Sequence, residues 1–68
     1  MIREKVGKRI KELRHILGIS QEELADKARV HRTYIASLEV GKRNVSIITL
    51  EKITIALEVS LSEFFDFE

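Results

Sequence analysis

Apolar residues recur at helical spacing from the start of the chain. Val6, Ile10, Leu13 and Leu17 fall on one stripe, which predicts an amphipathic helix over residues 2–17. Gly18 follows and suits a left-handed cap. The next stretch, "ISQEEL", is a complete helix start: Ser20 caps, Glu23 closes a capping box, and Ile19 staples to Leu24. The same grammar returns in "VSLSEF", with Val59, Ser60, Glu63 and Phe64, and in "VSIITL", with Val45, Ser46 and Leu50 but no acidic box residue. These starts predict a second helix over residues 21–28, burying Leu24, Ala25 and Ala28. A third runs from Arg32 to Val40 and is ended by Gly41. A fourth, residues 47–57, offers Leu50, Ile53 and Leu57 to the core, and a short fifth adds Leu61 and Phe64.

The third helix carries an unusual outer face. Ile35 and Leu38 point one way, while Arg32, Thr33, Ala36 and Ser37 point the other. Solvated helices usually wear long Glu, Lys and Gln chains, so four short or fork-shaped residues together suggest a surface that something must approach closely. The tripeptide Arg29-Val30-His31 leaves room only for a tight turn, which makes an αα corner between the second and third helices.

Composition narrows the picture. Sixty-eight residues allow one domain, residues 1–68. A core this thin usually needs a disulfide, a metal or a partner copy. Cysteine is absent and the two histidines, His15 and His31, lie far apart, so very good packing or self-association remains and no metal or other cofactor is expected. The lack of proline and the scarcity of glycine favour helices over sheets. With no membrane-span-like run and no signal-peptide pattern, a cytoplasmic protein is expected. An enzyme is not expected either, since there is no nucleophile–base pair at plausible spacing and no glycine-rich phosphate loop.

The net charge of +1 hides an asymmetry. Residues 1–45 carry eleven Lys/Arg against six Asp/Glu, and residues 46–68 one Lys against five acids. One end is basic and the other acidic, so a polyanion would be bound by one side only.

The stretch "QEELADKARVHRTYIASLEV" resembles the helix-turn-helix of the phage-repressor-like transcription regulators, with Ala25 at the helix crossing and Val30, Ile35 and Leu38 as core positions. "LEKITIALEVSLSEFF" looks like that family's fourth and fifth helices, so the resemblance covers nearly the whole chain and implies an all-α, five-helix domain. "RTYI…RNVS" is closer still to the controller proteins of restriction–modification systems, in which Arg-Thr-Tyr opens the recognition helix and Arg-Asn-x-Ser/Thr follows in the next loop. Here these are Arg32, Thr33, Tyr34, Arg43, Asn44 and Ser46. One position departs from the pattern: the family commonly has glycine where this chain has Arg29. If positive φ is needed there, arginine is strained by roughly 1 kcal/mol. Arg29 is also a candidate phosphate contact.

Under this resemblance the third helix lies in the major groove. Arg32 suits guanine O6 and N7, Thr33 and Ser37 offer hydroxyls, and Ala36 admits a close approach or touches a thymine methyl. Gln21, Arg43, Asn44, Ser46 and Thr49 are the expected sugar–phosphate contacts, which position rather than select. Tyr34 has two readings, as the edge of the core or as a further backbone contact. Arg14 and Glu39 match a family ion pair that ties the first helix to the third.

A second surface follows from the fourth helix. Ile48 and Ile55, seven residues apart, face away from Leu50, Ile53 and Leu57, and the tail adds Phe65 and Phe67. An outward apolar pair suggests a partner. The expectation is a two-fold homodimer that places two recognition helices about 34–36 Å apart; the alternative is that the C-terminal segment folds over these groups within one chain. The resemblance further implies a double-stranded DNA operator upstream of the protein's own gene, activation at low concentration, repression at high, and RNA polymerase as a partner when activating. A phage-type or antitoxin-type repressor is the alternative of the same class. A protein-interaction module without DNA binding is the alternative of another class.

Overall fold

The computed structural model describes residues 1–67. Five helices follow in order: α1 Ile2–Leu17, α2 Gln21–Ala28, α3 Arg32–Glu39, α4 Ile47–Ala56 and α5 Leu61–Phe64. α1 packs on α3, α2 packs on both α3 and α4, and α5 packs against α4. The described residues contain no helix long and apolar enough to cross a membrane.

The starts of α2, α4 and α5 follow the sequence grammar. Ser20, Ser46 and Ser60 each accept a hydrogen bond from the backbone N–H three residues on, and Glu23 and Glu63 return the bond to close capping boxes. In α4, where no acid is available, Thr49 takes the third position and the Ser46 hydroxyl donates to its Oγ1 at 2.9 Å. The staple residues Ile19, Val45 and Val59 are half-buried against the core.

The helix ends share one device. After α1, α2, α3 and α4 the chain turns through a left-handed residue, respectively Gly18, Arg29, Gly41 and Glu58. Each time the following N–H reaches back five residues to a helix carbonyl: Ile19 to Arg14, Val30 to Ala25, Lys42 to Ser37 and Val59 to Thr54. This closes the last turn and satisfies carbonyls that would otherwise lack partners. It also ends α3 at Glu39 and α4 at Ala56, one residue short of the expected Val40 and Leu57, which become the C-caps. Arg29 adopts φ 59°, so the strained conformation anticipated for it is present.

The core consists of Val6, Ile10 and Leu13 from α1, Leu24, Ala25 and Ala28 from α2, Ile35 and Leu38 from α3, Leu50, Ile53, Ala56 and Leu57 from α4 and its cap, and Phe64. Leu61 is a correction. It is 45% exposed, because the single turn of α5 is wide enough to bury one large side chain, and Phe64 takes that place. Arg9 ties the short helix down, its guanidinium donating to the carbonyls of Phe64 at 2.9 Å and Glu63 at 2.7 Å. Gly7 is buried where α1 crosses α3; a Cβ there would lie 2.0 Å from the Leu38 carbonyl oxygen.

Candidate nucleic-acid interface

α3 is held from behind and left open in front. Ile35 and Leu38 are buried, Arg32 and Thr33 are exposed, and Ala36 and Ser37 are half-exposed. The four outward residues therefore share one accessible face. The Ser37 hydroxyl donates to the Tyr34 carbonyl at 2.9 Å, so toward a ligand it acts first as an acceptor.

Beside this face lies a cleft of about 550 Å³ lined by Arg29, Val30, His31, Thr33, Tyr34, Ser37, Arg43 and Thr49. It runs between the start of α3 and the loop before α4, and three of its side chains are arginine or histidine. Tyr34 packs half-buried against the core, the first of its two readings, and the Arg43 guanidinium lies over its ring, 5.2 Å from the centroid. That stacking holds an exposed cation at the cleft rim without an acidic partner among the described residues. Asn44 faces an adjoining recess that it shares with Arg43. Ser46 and Thr49 bond to each other at the start of α4, and Thr49 lines the main cleft.

Gln21 stands apart from this group. Its amide Nε2 donates to Glu39 Oε1 at 3.1 Å, inside the link that fixes α3 to α1. There Arg14 donates from Nε to Glu39 Oε2 at 2.7 Å and from Nη2 to Oε1 at 3.0 Å, and its other terminal nitrogen donates to the Ile19 carbonyl. The Glu39 side chain is 3% exposed. Burial alone would push this carboxyl up. The bonds from Arg14 and Gln21 and the positive charge of Arg14 outweigh it, so Glu39 titrates below its ordinary range, and the bond to Glu39 holds Arg14 charged beyond its usual range.

A pH dependence follows. A carboxyl depressed in the folded state contributes stability that is complete above its unfolded value, about 4.3, and is lost as pH falls through the folded value. Glu39→Gln should cost about 1–2 kcal/mol at neutral pH. Its deficit in melting temperature should hold down to about pH 5 and shrink toward pH 3. A deficit that is the same at pH 7 and pH 3 would remove the charge of Glu39 from the account.

Two lining residues, Val30 and His31, were not anticipated as part of the site. Their signal was adjacency, since a three-residue turn cannot keep its side chains away from the start of the helix it feeds. The histidines and carboxylates of the described residues form no group of three able to hold a metal ion.

Residues 10–64 match the helix-turn-helix family. The chain is 45% identical to the control protein C.MunI of a Mycoplasma species, over 94% of this chain and 88% of that protein. It superposes with a TM-score of 0.90 on the restriction–modification controller protein C.AhdI of Aeromonas hydrophila, at 40% identity, covering 93% of this chain and 91% of that one. The tetramer of the controller protein C.Esp1396I in complex with its natural 35 base-pair operator gives 0.91 at 42% identity, over 97% of this chain and 87% of that one. A chain that shares these identities and this superposition over nearly its whole length belongs to the helix-turn-helix family and, within it, to the restriction–modification controller proteins.

Proposed function

We propose that this protein is a homodimeric regulator that reads a pseudo-palindromic DNA operator with α3, and that its residues divide the work as follows. Arg32, Thr33, Ala36 and Ser37 meet base edges in the major groove. Tyr34, Arg43, Asn44, Ser46 and Thr49 hold the sugar–phosphate chain beside it, with Gln21 contributing through the start of α2. The observation that carries this reading is the open face of α3 set beside a cleft rimmed by an arginine held on an aromatic ring. An unpaired guanidinium fixed at a groove edge is suited to phosphate, and short side chains in front of it let a duplex come close.

Size argues for two copies. The longest extent of the domain is 27 Å, below the about 34–36 Å between half-sites one helical turn apart. One chain therefore reads one half-site. Ile48 and Ile55, 71% and 70% exposed, and Phe65, exposed beside the half-buried Phe67 with ring centroids 6.0 Å apart, offer the apolar surface for pairing. The regulator acts in the cytoplasm on the operator of its own gene, activating through RNA polymerase at low concentration and repressing at high.

Arg32 provides the test. Arg32→Ala should weaken binding to the selected site by about 1–3 kcal/mol and blur preference at one or two base positions. Selection from randomised duplexes with both proteins measures this, and an unchanged base profile would take Arg32 out of the reading set.

A further inference from the structure

We propose that Arg3, at the start of α1, is an additional phosphate-binding residue that carries the DNA contact surface beyond the loop before α4 to the flank of the half-site. The proposal rests on the reading of Arg43 and Asn44 as a backbone clamp and goes beyond it by adding an element remote in sequence.

Arg43 is shared by two adjoining concavities. One is the main cleft beside α3. The other is a recess of about 210 Å³ lined by Ile2, Arg3, Val6, Arg43, Asn44 and Val45. A strand backbone held at the first by Arg43 is thus led toward the second, which Asn44 and Arg3 both line. Its apolar lining is Ile2, Val6 and Val45, and its cations are Arg3 and Arg43. Sugar carbons suit such apolar groups and phosphate oxygens such cations.

Other arginines of α1 are committed within the protein. Arg9 bonds to Glu12 and to the carbonyls of α5, and Arg14 is spent on Glu39 and Ile19. Arg3 is exposed and enters no ion pair among the described residues, nor does Arg43. The nearby acid, Glu4, packs against Gly41. Two guanidinium groups without an ion pair among the described residues border one small recess, and an anion bound there would gain from both. DNA supplies phosphates in series along the same surface, so the occupant is the duplex already seated on α3.

Operator affinity measured against salt concentration distinguishes the outcomes, with Arg3→Ala, Arg3→Lys, Arg43→Ala and the exposed Lys8→Ala compared with wild type. Arg3→Ala should lower the slope of log K against log salt by about 0.9 per bound chain, so its deficit closes by about 3–4-fold per chain between 50 and 200 mM salt. The base profile from randomised duplexes should not change. Arg3→Lys should keep the wild-type slope, and Lys8→Ala, whose side chain borders a separate recess with Phe67, should also leave it intact. A wild-type slope in Arg3→Ala beside a reduced one in Arg43→Ala would overturn the role of Arg3 alone. A wild-type slope in both would overturn the clamp itself, and this proposal with it.

Discussion

Gly7→Ala should destabilise the fold by about 3–4 kcal/mol, although alanine is the better helix former by about 1 kcal/mol. The sign is decided by what the new methyl would meet. A Cβ on Gly7 would stand 2.0 Å from the Leu38 carbonyl oxygen and 3.0 Å from that of Glu39. Both are backbone atoms of α3, so no side-chain rotation relieves the clash, and α1 must withdraw from α3 as a unit. Withdrawal loosens the packing of Val6 and Ile10 in the core and stretches the Arg14–Glu39 link between the same two helices. A domain of this size has only about 3–10 kcal/mol of stability in total. Thermal melting should fall by about 15–25 °C, read by circular dichroism with urea unfolding as a second measure. A melting temperature equal to or above that of wild type would show that the helices do not approach this closely.

Gly7 carries a signal of its own in the sequence. A glycine inside an amphipathic helix costs stability, and a buried close approach is the usual reason to keep one. What the pattern of apolar and capping residues does specify is local. Ser20, Ser46 and Ser60 set the helix starts because each cap, with its box at Ser20 and Ser60, is complete within four residues. The ends were harder: Gly18 and Gly41 announce left-handed turns, but Arg29 and Glu58 adopt the same conformation without glycine to signal it. Leu61 stays exposed against the expectation because helical spacing says which residues share a face, not whether a single turn has a neighbour deep enough to cover two of them.

The site divides along the same line. The outward face of α3 follows from spacing alone, since Ile35 and Leu38 fix which side is inside. The Arg14–Glu39 link spans 25 positions and came from family resemblance, not from any local rule. The bonds from Arg9 to the α5 carbonyls span 54 and 55 positions and had no sequence signal, because carbonyls are present at every residue. Gln21 matches a phosphate-binding position, yet its amide is turned onto Glu39; a carboxylate held inside the fold outcompetes water for an amide on the neighbouring helix. The stack of Arg43 on Tyr34 needed the loop path between α3 and α4, which no periodicity describes.

Ile48→Glu combined with Ile55→Glu should convert the protein to monomers and lower operator affinity by about 100-fold or more, the range lost when two linked contacts become one. Both side chains are about 70% exposed and lie on the face of α4 opposite Leu50 and Ile53, so acidic replacements leave the monomer core untouched. In a two-fold interface each substitution occurs twice, and four like charges would be brought together in an apolar setting. The acidic balance of residues 46–68 adds to the repulsion. Ile16→Glu, at an equally exposed apolar position on α1, serves as the control and should sediment and bind as wild type. A thin core gains stability from association, so melting of the wild type should rise with protein concentration while that of the double variant stays constant. A double variant that still sediments as a dimer would move the interface off this face of α4. Monomers with full operator affinity would show instead that reading DNA does not require the pair.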